Sequence, residues 1–411
     1  METFQHFGRF HLLESEKFKD ITVSLRILGE NKEPYVSMRN LLAQILIDRG
    51  AHYPHKRDLS VMCDVCYGLT VDSKTTAYGK AHSLEFKFKT ISDRYATDKP
   101  FEKAVSFVAD LLRYPLINEA TLSEAKVNVN ASLLRYQDNP SQYAMIQACA
   151  LAGKGSSLAV FSQGKKEIVD SITVDQLEEY YRRMLKTDRF DLFAIGDFKS
   201  QELLPRLKSE FAFLSETNQT QSAYSNLGLT YQTGHSERDV DQANLIQMYS
   251  LNAEIFDSEY IAHRLACVML GQLPNSLLFA EVREARSLCY SIYSSMIQFD
   301  GLLTISTGID IEKQAEVEAL IEVQIDRLKT GSVDPKLLRT AQDMLISSLK
   351  SATDDVSSLI NFYHQRALTI QDETLDSFAQ RLSEVKIEDI MQAVSKWRKL
   401  VAYTVGKKVS A

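Results

Sequence analysis

The chain has 411 residues, 45% hydrophobic and 25% charged, with 16 glycines and 8 prolines, and a formal net charge of −7. That composition gives roughly two to three globular domains at ~100–200 residues each and excludes a disordered or fibrous chain. With no long Lys/Arg block, the acidic balance speaks against a nucleic-acid binder.

Five cysteines stand at 63, 66, 149, 267 and 289. An odd number at irregular spacing does not make a disulfide framework. The first residues, METFQHFGRFHLLESEKF, lack a basic segment followed by an apolar stretch, and no window reaches ~18 apolar residues. The expected location is cytoplasmic, without a membrane anchor.

In chain order, Ile21, Val23, Leu25 and Ile27 alternate as one face of a strand. Met38, Leu41, Leu42 and Ile45 follow at helical spacing, with Gly50 as the stop. His52 and His55 form H-x-x-H beside Pro54, which reads as surface histidine without a third ligand. Cys63 and Cys66 form C-x-x-C in apolar surroundings, which reads as core thiols. Leu84, Phe86 and Phe88 then alternate with Glu85, Lys87 and Lys89 as a second strand. Near residue 171 a helix opens on a capping box, Thr173 with Gln176, and a staple of Ile172 on Leu177. It leads to a strand from Phe190 to Ile195.

Residues 216–239 are rich in Ser, Thr, Asn, Gln and Gly and read as a linker. Beyond it the order repeats. Leu245 to Leu251 is a strand, and Ser258 to Gly271 a helix on which His263 and Cys267 share a face, read as partial burial. Val317, Leu320, Ile321, Ile325 and Leu328 mark another helix stopped by Gly331. The run 384–397 leads to a last strand from Leu400 to Val405. Cys66-Tyr67 and Cys289-Tyr290 lie 223 positions apart, and Ile172 matches Val385 at an offset of 213. The expected fold is α+β: two similar domains, 1–215 and 240–411, each a sheet with helices packed on one face.

The forty residues Gly271 to Asp310 are the most specific. A Gly/Pro/Asn loop enters a helix-like run, Leu277 to Leu288, with Arg283 seven residues before Tyr290. Two strands follow, Tyr290 to Met296 and Leu302 to Ile309, around a turn at Phe299-Asp300-Gly301. This run resembles the C-terminal-half signature of the pitrilysin/insulysin (inverted-zincin) metallopeptidase family, which includes mitochondrial processing peptidase. The resemblance implies that Arg283 and Tyr290 hold the backbone carbonyls of a peptide substrate. Ser276, Leu278 and Phe279 also fit the signature, the apolar ones as packing.

In active members of that family, H-x-x-E-H on a helix of the first domain binds zinc and activates water, and a distal Glu completes the ligands. On the matching helix here, SMRNLLAQILIDRG, Asn40, Ala43 and Gln44 stand at those positions. Neither H-x-x-E-H nor H-E-x-x-H occurs in the chain, and Ala125 to Gln137 contains no acid. The chain therefore reads as holding no metal and no catalytic residue of its own, with zinc expected in a partner. The resemblance extends to a zinc-less Gram-positive bacterial subgroup that accompanies an active relative. It implies a non-catalytic subunit of a two-chain zinc metalloendopeptidase, paired with a homologous zinc-bearing chain around unfolded peptides. A homodimer stays open; nucleic acid and membrane are not expected partners. The alternatives are a scaffold or interaction protein that keeps the fold without peptidase work, and a stand-alone enzyme with an unconventional metal site.

Overall fold

The structure, a computed structural model, describes residues 4–214, 230–255, 257–369 and 373–407. The chain is α+β and forms two compact units, each built on its own sheet. The first comprises Met1–Leu133, Ser162–Ser222 and Asp355–Leu368; the second comprises Leu134–Phe161, Ala223–Asp354 and Thr369–Ala411. These units differ from a division at 1–215 and 240–411 by two segments: 134–161 compacts with the second half and 355–368 with the first. Residues 215–229, most of the expected linker, lie outside the described residues. Its last part includes a strand, Gln232–Glu237.

The first unit holds six strands: β1 (Gln5–Phe7), β2 (Phe10–Glu14), β3 (Asp20–Glu30), β4 (Thr70–Tyr78), β5 (Ala81–Ile91) and β6 (Arg189–Gly196). Their order is β1-β2-β6-β3-β5-β4. Every pairing is antiparallel except β2 with β6. On β3, Ile21, Val23, Leu25 and Ile27 are buried on one face, as their alternation predicts. The helices Tyr35–Ile45 and Pro100–Arg113 lie against β5, and Phe88 stacks on Phe101 at 6.4 Å. Each such side chain taken from water contributes about 1.5–3 kcal/mol.

The opposite face is polar, and it too is buried. Arg26 donates to Glu85 at 3.0 Å and to Asn361 at 2.6 Å, and Ser24 donates to Glu85 at 2.7 Å. Asn361 lies on the helix Val356–Thr369, the segment that the first unit draws from the second half of the chain. The same helix packs His364 against Phe193 and Tyr363 against Phe4. Strand alternation placed Glu85 on a polar face. The helix covering that face converts it from a solvated carboxylate into half of a buried ion pair, and the Arg26 guanidinium holds its carboxyl below the usual range against the upward push of burial.

The second unit repeats the plan with β7 (Gln232–Glu237), β8 (Ala243–Ser250), β9 (Cys289–Ile297), β10 (Leu302–Ile309) and β11 (Arg398–Gly406) in the order β7-β11-β8-β10-β9. One pairing is again parallel, β7 with β11. Here the borrowed helix is Pro140–Ala152. Its Ala144 and Ala148 pack on Ile246, Met248, Val401 and Val405, an apolar core where the first unit has ions. The capping box of Thr173 and Gln176 forms as expected, with Ile172 and Leu177 buried. Among the described residues no helix is long and apolar enough to cross a membrane.

Candidate functional site

The helix Tyr35–Ile45 carries Asn40, Ala43 and Gln44, the residues laid against the zinc motif above. Asn40 is buried, and its amide is fully engaged. It donates to the carbonyls of Val36 and Ser162, both at 2.9 Å, and accepts from Thr75 at 2.8 Å. Ala43 is buried and Gln44 exposed. His82 is buried beside them and donates through Nε2 to the same Ser162 carbonyl at 3.0 Å. Burial, aided by the Arg39 charge, lowers its pKa to about 3, so the ring is neutral. The next residues are pressed onto the helix. The backbone N–H of Lys165 donates to Ser37 Oγ at 3.2 Å, and a Cβ on Gly164 would meet that oxygen at 2.5 Å. The Ser162–Lys165 segment thus occupies the side of the helix where Asn40 points.

The other histidines and cysteines do not converge. His52 is exposed and bonds Asp110 at 2.9 Å, and His55 caps the helix Lys56–Val65. Cys66 is buried, Cys63 half-buried, and neither forms a disulfide. His263 and Cys267 were expected to be partly buried, but both are fully enclosed. His263 Nδ1 accepts the indole N–H of Trp397 at 2.8 Å, and burial lowers its pKa to about 4. Burial pushes Cys267 up to about 12, leaving an inert thiol. Among the described residues no group of three or more His, Cys, Asp or Glu is placed to hold a metal ion.

In the second unit the signature residues come together. The run expected as a helix from Leu277 to Leu288 contains a π-helix, Phe279–Ala285. Such wide turns occur mostly as short insertions, often at functional sites. Ser287 follows at φ +53°, and the chain enters β9 at Cys289. This path brings the Arg283 guanidinium to 5.4 Å from the centre of the Tyr290 ring and 4.6 Å from that of Phe279. Both distances are within cation–π reach. Tyr290 is 76% exposed. Among the described residues Arg283 has no hydrogen-bond acceptor and no carboxylate partner for its side chain, whereas Arg286 is tied to Glu281 at 3.1 Å. Leu278 is fully buried, as its reading as packing requires. Phe279 was read as packing too, yet it is half-buried and lies against the guanidinium. Its four-residue spacing to Arg283 was the available signal.

The two-unit α+β fold, with one sheet in each unit, is that of peptidase-like proteins. Residues 171–345 match the family model described as Peptidase M16 inactive domain. Over those residues the chain resembles this pitrilysin/insulysin-type M16 family. It is 23% identical over 394 residues to the probable inactive metalloprotease YmfF of Bacillus subtilis, covering 94% of this chain and 92% of that protein. It is 21% identical over 315 residues to the non-peptidase homolog YmxG of Helicobacter pylori, covering 75% and 72%. A conserved protein from Enterococcus faecalis shares the fold, with a TM-score of 0.91 at 22% identity over 98% of this chain and 97% of that one.

Proposed function

We propose that the chain is a non-catalytic M16 subunit that presents Arg283 and Tyr290 to a peptide bound with a homologous, zinc-bearing partner. The observation carrying this reading is the state of Arg283. Its guanidinium is held against two aromatic rings while its N–H donors meet no acceptor among the described residues. A planar, permanently charged fork beside a phenol hydroxyl suits a substrate carbonyl or the oxyanion formed during hydrolysis. The names of the relatives, inactive metalloprotease and non-peptidase homolog, agree with a chain that does no peptidase chemistry alone. Free cysteines, none paired with another, agree with a reducing, cytoplasmic setting.

The test mixes the chain with a metal-bearing homologue and measures cleavage of an unfolded peptide. Cleavage should exceed that of the homologue alone, vanish with chelator, and depend on Arg283 and Tyr290. The name of the Helicobacter pylori relative favours a second reading, a scaffold that keeps the fold without peptidase work. Cleavage by the homologue alone that equals cleavage by the pair would select it.

A further inference from the structure

We propose that the helix Lys56–Val65 of the first unit is a self-association surface, and that its occupant is the same helix of a second copy of this chain, packed antiparallel. The inference does not depend on the roles of Arg283 and Tyr290.

A surface helix of a globular protein normally turns its apolar stripe to the core. This one splits its apolar residues between two sides. It lies against the helix Pro100–Arg113 with Leu59, Met62 and Cys63 half-buried, and none of its ten residues is fully buried. Every other α-helix among the described residues buries at least one. Val61 and Val65, one turn apart, share the outward side and are 48% and 44% exposed. Tyr67 follows two residues past the end of the helix and is 55% exposed. An apolar ridge of this kind, rimmed by polar residues, marks a protein–protein contact.

The charges on the same side choose the occupant. Arg57 stands one turn before Val61, and Asp64 one turn after Ser60. Both are exposed, and among the described residues neither side chain has a hydrogen-bond or ion-pair partner. The adjacent charges are already engaged: Lys56 by Asp48 and Glu124, and Asp58 by the His55 N–H at 2.9 Å. Seven residues are two turns, about 10.5 Å along the axis. In an antiparallel pair with the twofold axis between Ser60 and Val61, Arg57 faces Asp64 of the second copy, and Asp64 faces Arg57 of the second copy. Ser60 meets Val61 twice at the centre, where the small side chain admits a close approach of the two axes. Such a contact is isologous and closes as a dimer. Parallel packing would set Arg57 on Arg57 and Asp64 on Asp64, and an apolar helix of another protein would leave both charges unmatched. Ten residues cover less than the ~800 Å² that a standard interface buries on each partner, so the dimer is weak and concentration-dependent.

The test is sedimentation velocity on the full chain, over a concentration series from micromolar to about 1 mM. The parent should pass from monomer to dimer within that range. Arg57→Asp sets acid against acid across the twofold axis, and Asp64→Arg sets base against base. Each reversal should weaken dimerisation about tenfold or more. An equimolar mixture of the two reversed variants should associate as well as the parent, because every introduced charge then meets its opposite. Misfolded chains would not rescue one another in this way, so the mixture keeps folding out of question. Val61→Asp, at the centre of the seam, should abolish association of the parent. A parent that stays monomeric throughout, a dimer unmoved by either reversal, or a mixture no better than its components would overturn the inference.

Discussion

The guanidinium of Arg283 lies 5.4 Å from the centre of the Tyr290 ring, and the backbone between them turns through a π-helix and a left-handed residue, Ser287, to achieve this. A helix continuing at ordinary pitch gives no reason for such an approach. The arrangement holds a charge, with no acceptor for its donors among the described residues, next to an exposed phenol, and its first consequence is kinetic. In a mixture with a zinc-bearing homologue, Arg283→Ala or Tyr290→Phe should cut peptide turnover by about 10². Arg286→Ala should leave turnover unchanged, because that side chain is engaged by Glu281. Turnover that is equal in all three variants removes the pair from the mechanism.

Metal content is the second consequence. Purified protein should carry no stoichiometric zinc by elemental analysis. The triple variant Asn40→His, Ala43→Glu, Gln44→His, which writes the family motif back, should still fail to acquire it. Asn40 aims at the Ser162 carbonyl, so the donor side of the helix is filled by protein. Ala43 is 4% exposed, and a carboxylate there is buried without a partner. One zinc per chain in that variant would refute the argument.

The third prediction concerns the first unit. Arg26 and Glu85 are 2% and 5% exposed and joined at 3.0 Å. Removing one partner leaves a buried charge, so Glu85→Ala should cost about 3–5 kcal/mol in urea unfolding. The double change Arg26→Met with Glu85→Leu should recover most of that loss, because it removes both charges and keeps the volume. A single variant within ~1 kcal/mol of the parent would show that the pair is solvated.

The burial of Glu85 lies beyond what its strand pattern can give. Alternation identifies the face of Leu84, Phe86 and Phe88, and that face is buried as expected. Alternation says nothing about what covers the reverse face. Here the cover is the helix Val356–Thr369, whose Asn361 is 335 positions from Arg26. Local periodicity has no access to such a contact. In the second unit the equivalent service is done by Pro140–Ala152 on apolar strand residues. The repeat seen in the sequence therefore survives in strand order and in the single parallel pair of each sheet, but not in the chemistry of the second face. At the site, Arg283 and Tyr290 were singled out through family likeness, and the structure brings the two side chains together. Phe279 was not, because a half-buried aromatic on a helix looks like core until the guanidinium beside it is placed. The π-helix was not either, since Leu277 to Leu288 carries no signal that separates wide winding from ordinary helix.

A last prediction uses His263 as a reporter of how tightly the second unit is closed. The ring is fully buried, accepts from Trp397 at 2.8 Å, and has its pKa lowered by burial to about 4. In the unfolded chain it titrates near its ordinary ~6.5. Between those values the unfolded state binds a proton that the folded state refuses. Stability is therefore unaffected by this group above pH ~6.5 and falls as pH drops from there toward ~4, by up to ~3 kcal/mol. His82, also lowered by burial, adds a similar loss over an overlapping range, so the effect must be isolated by difference. His263→Gln can still accept the indole N–H but does not titrate. Its unfolding free energy, measured in urea from pH 7 to pH 4.5, should fall less steeply than that of the parent by about one proton, ~1.4 kcal/mol per pH unit. Parallel slopes for parent and variant would mean that water reaches His263 and that the helix Tyr260–Gly271 does not seal against Trp397.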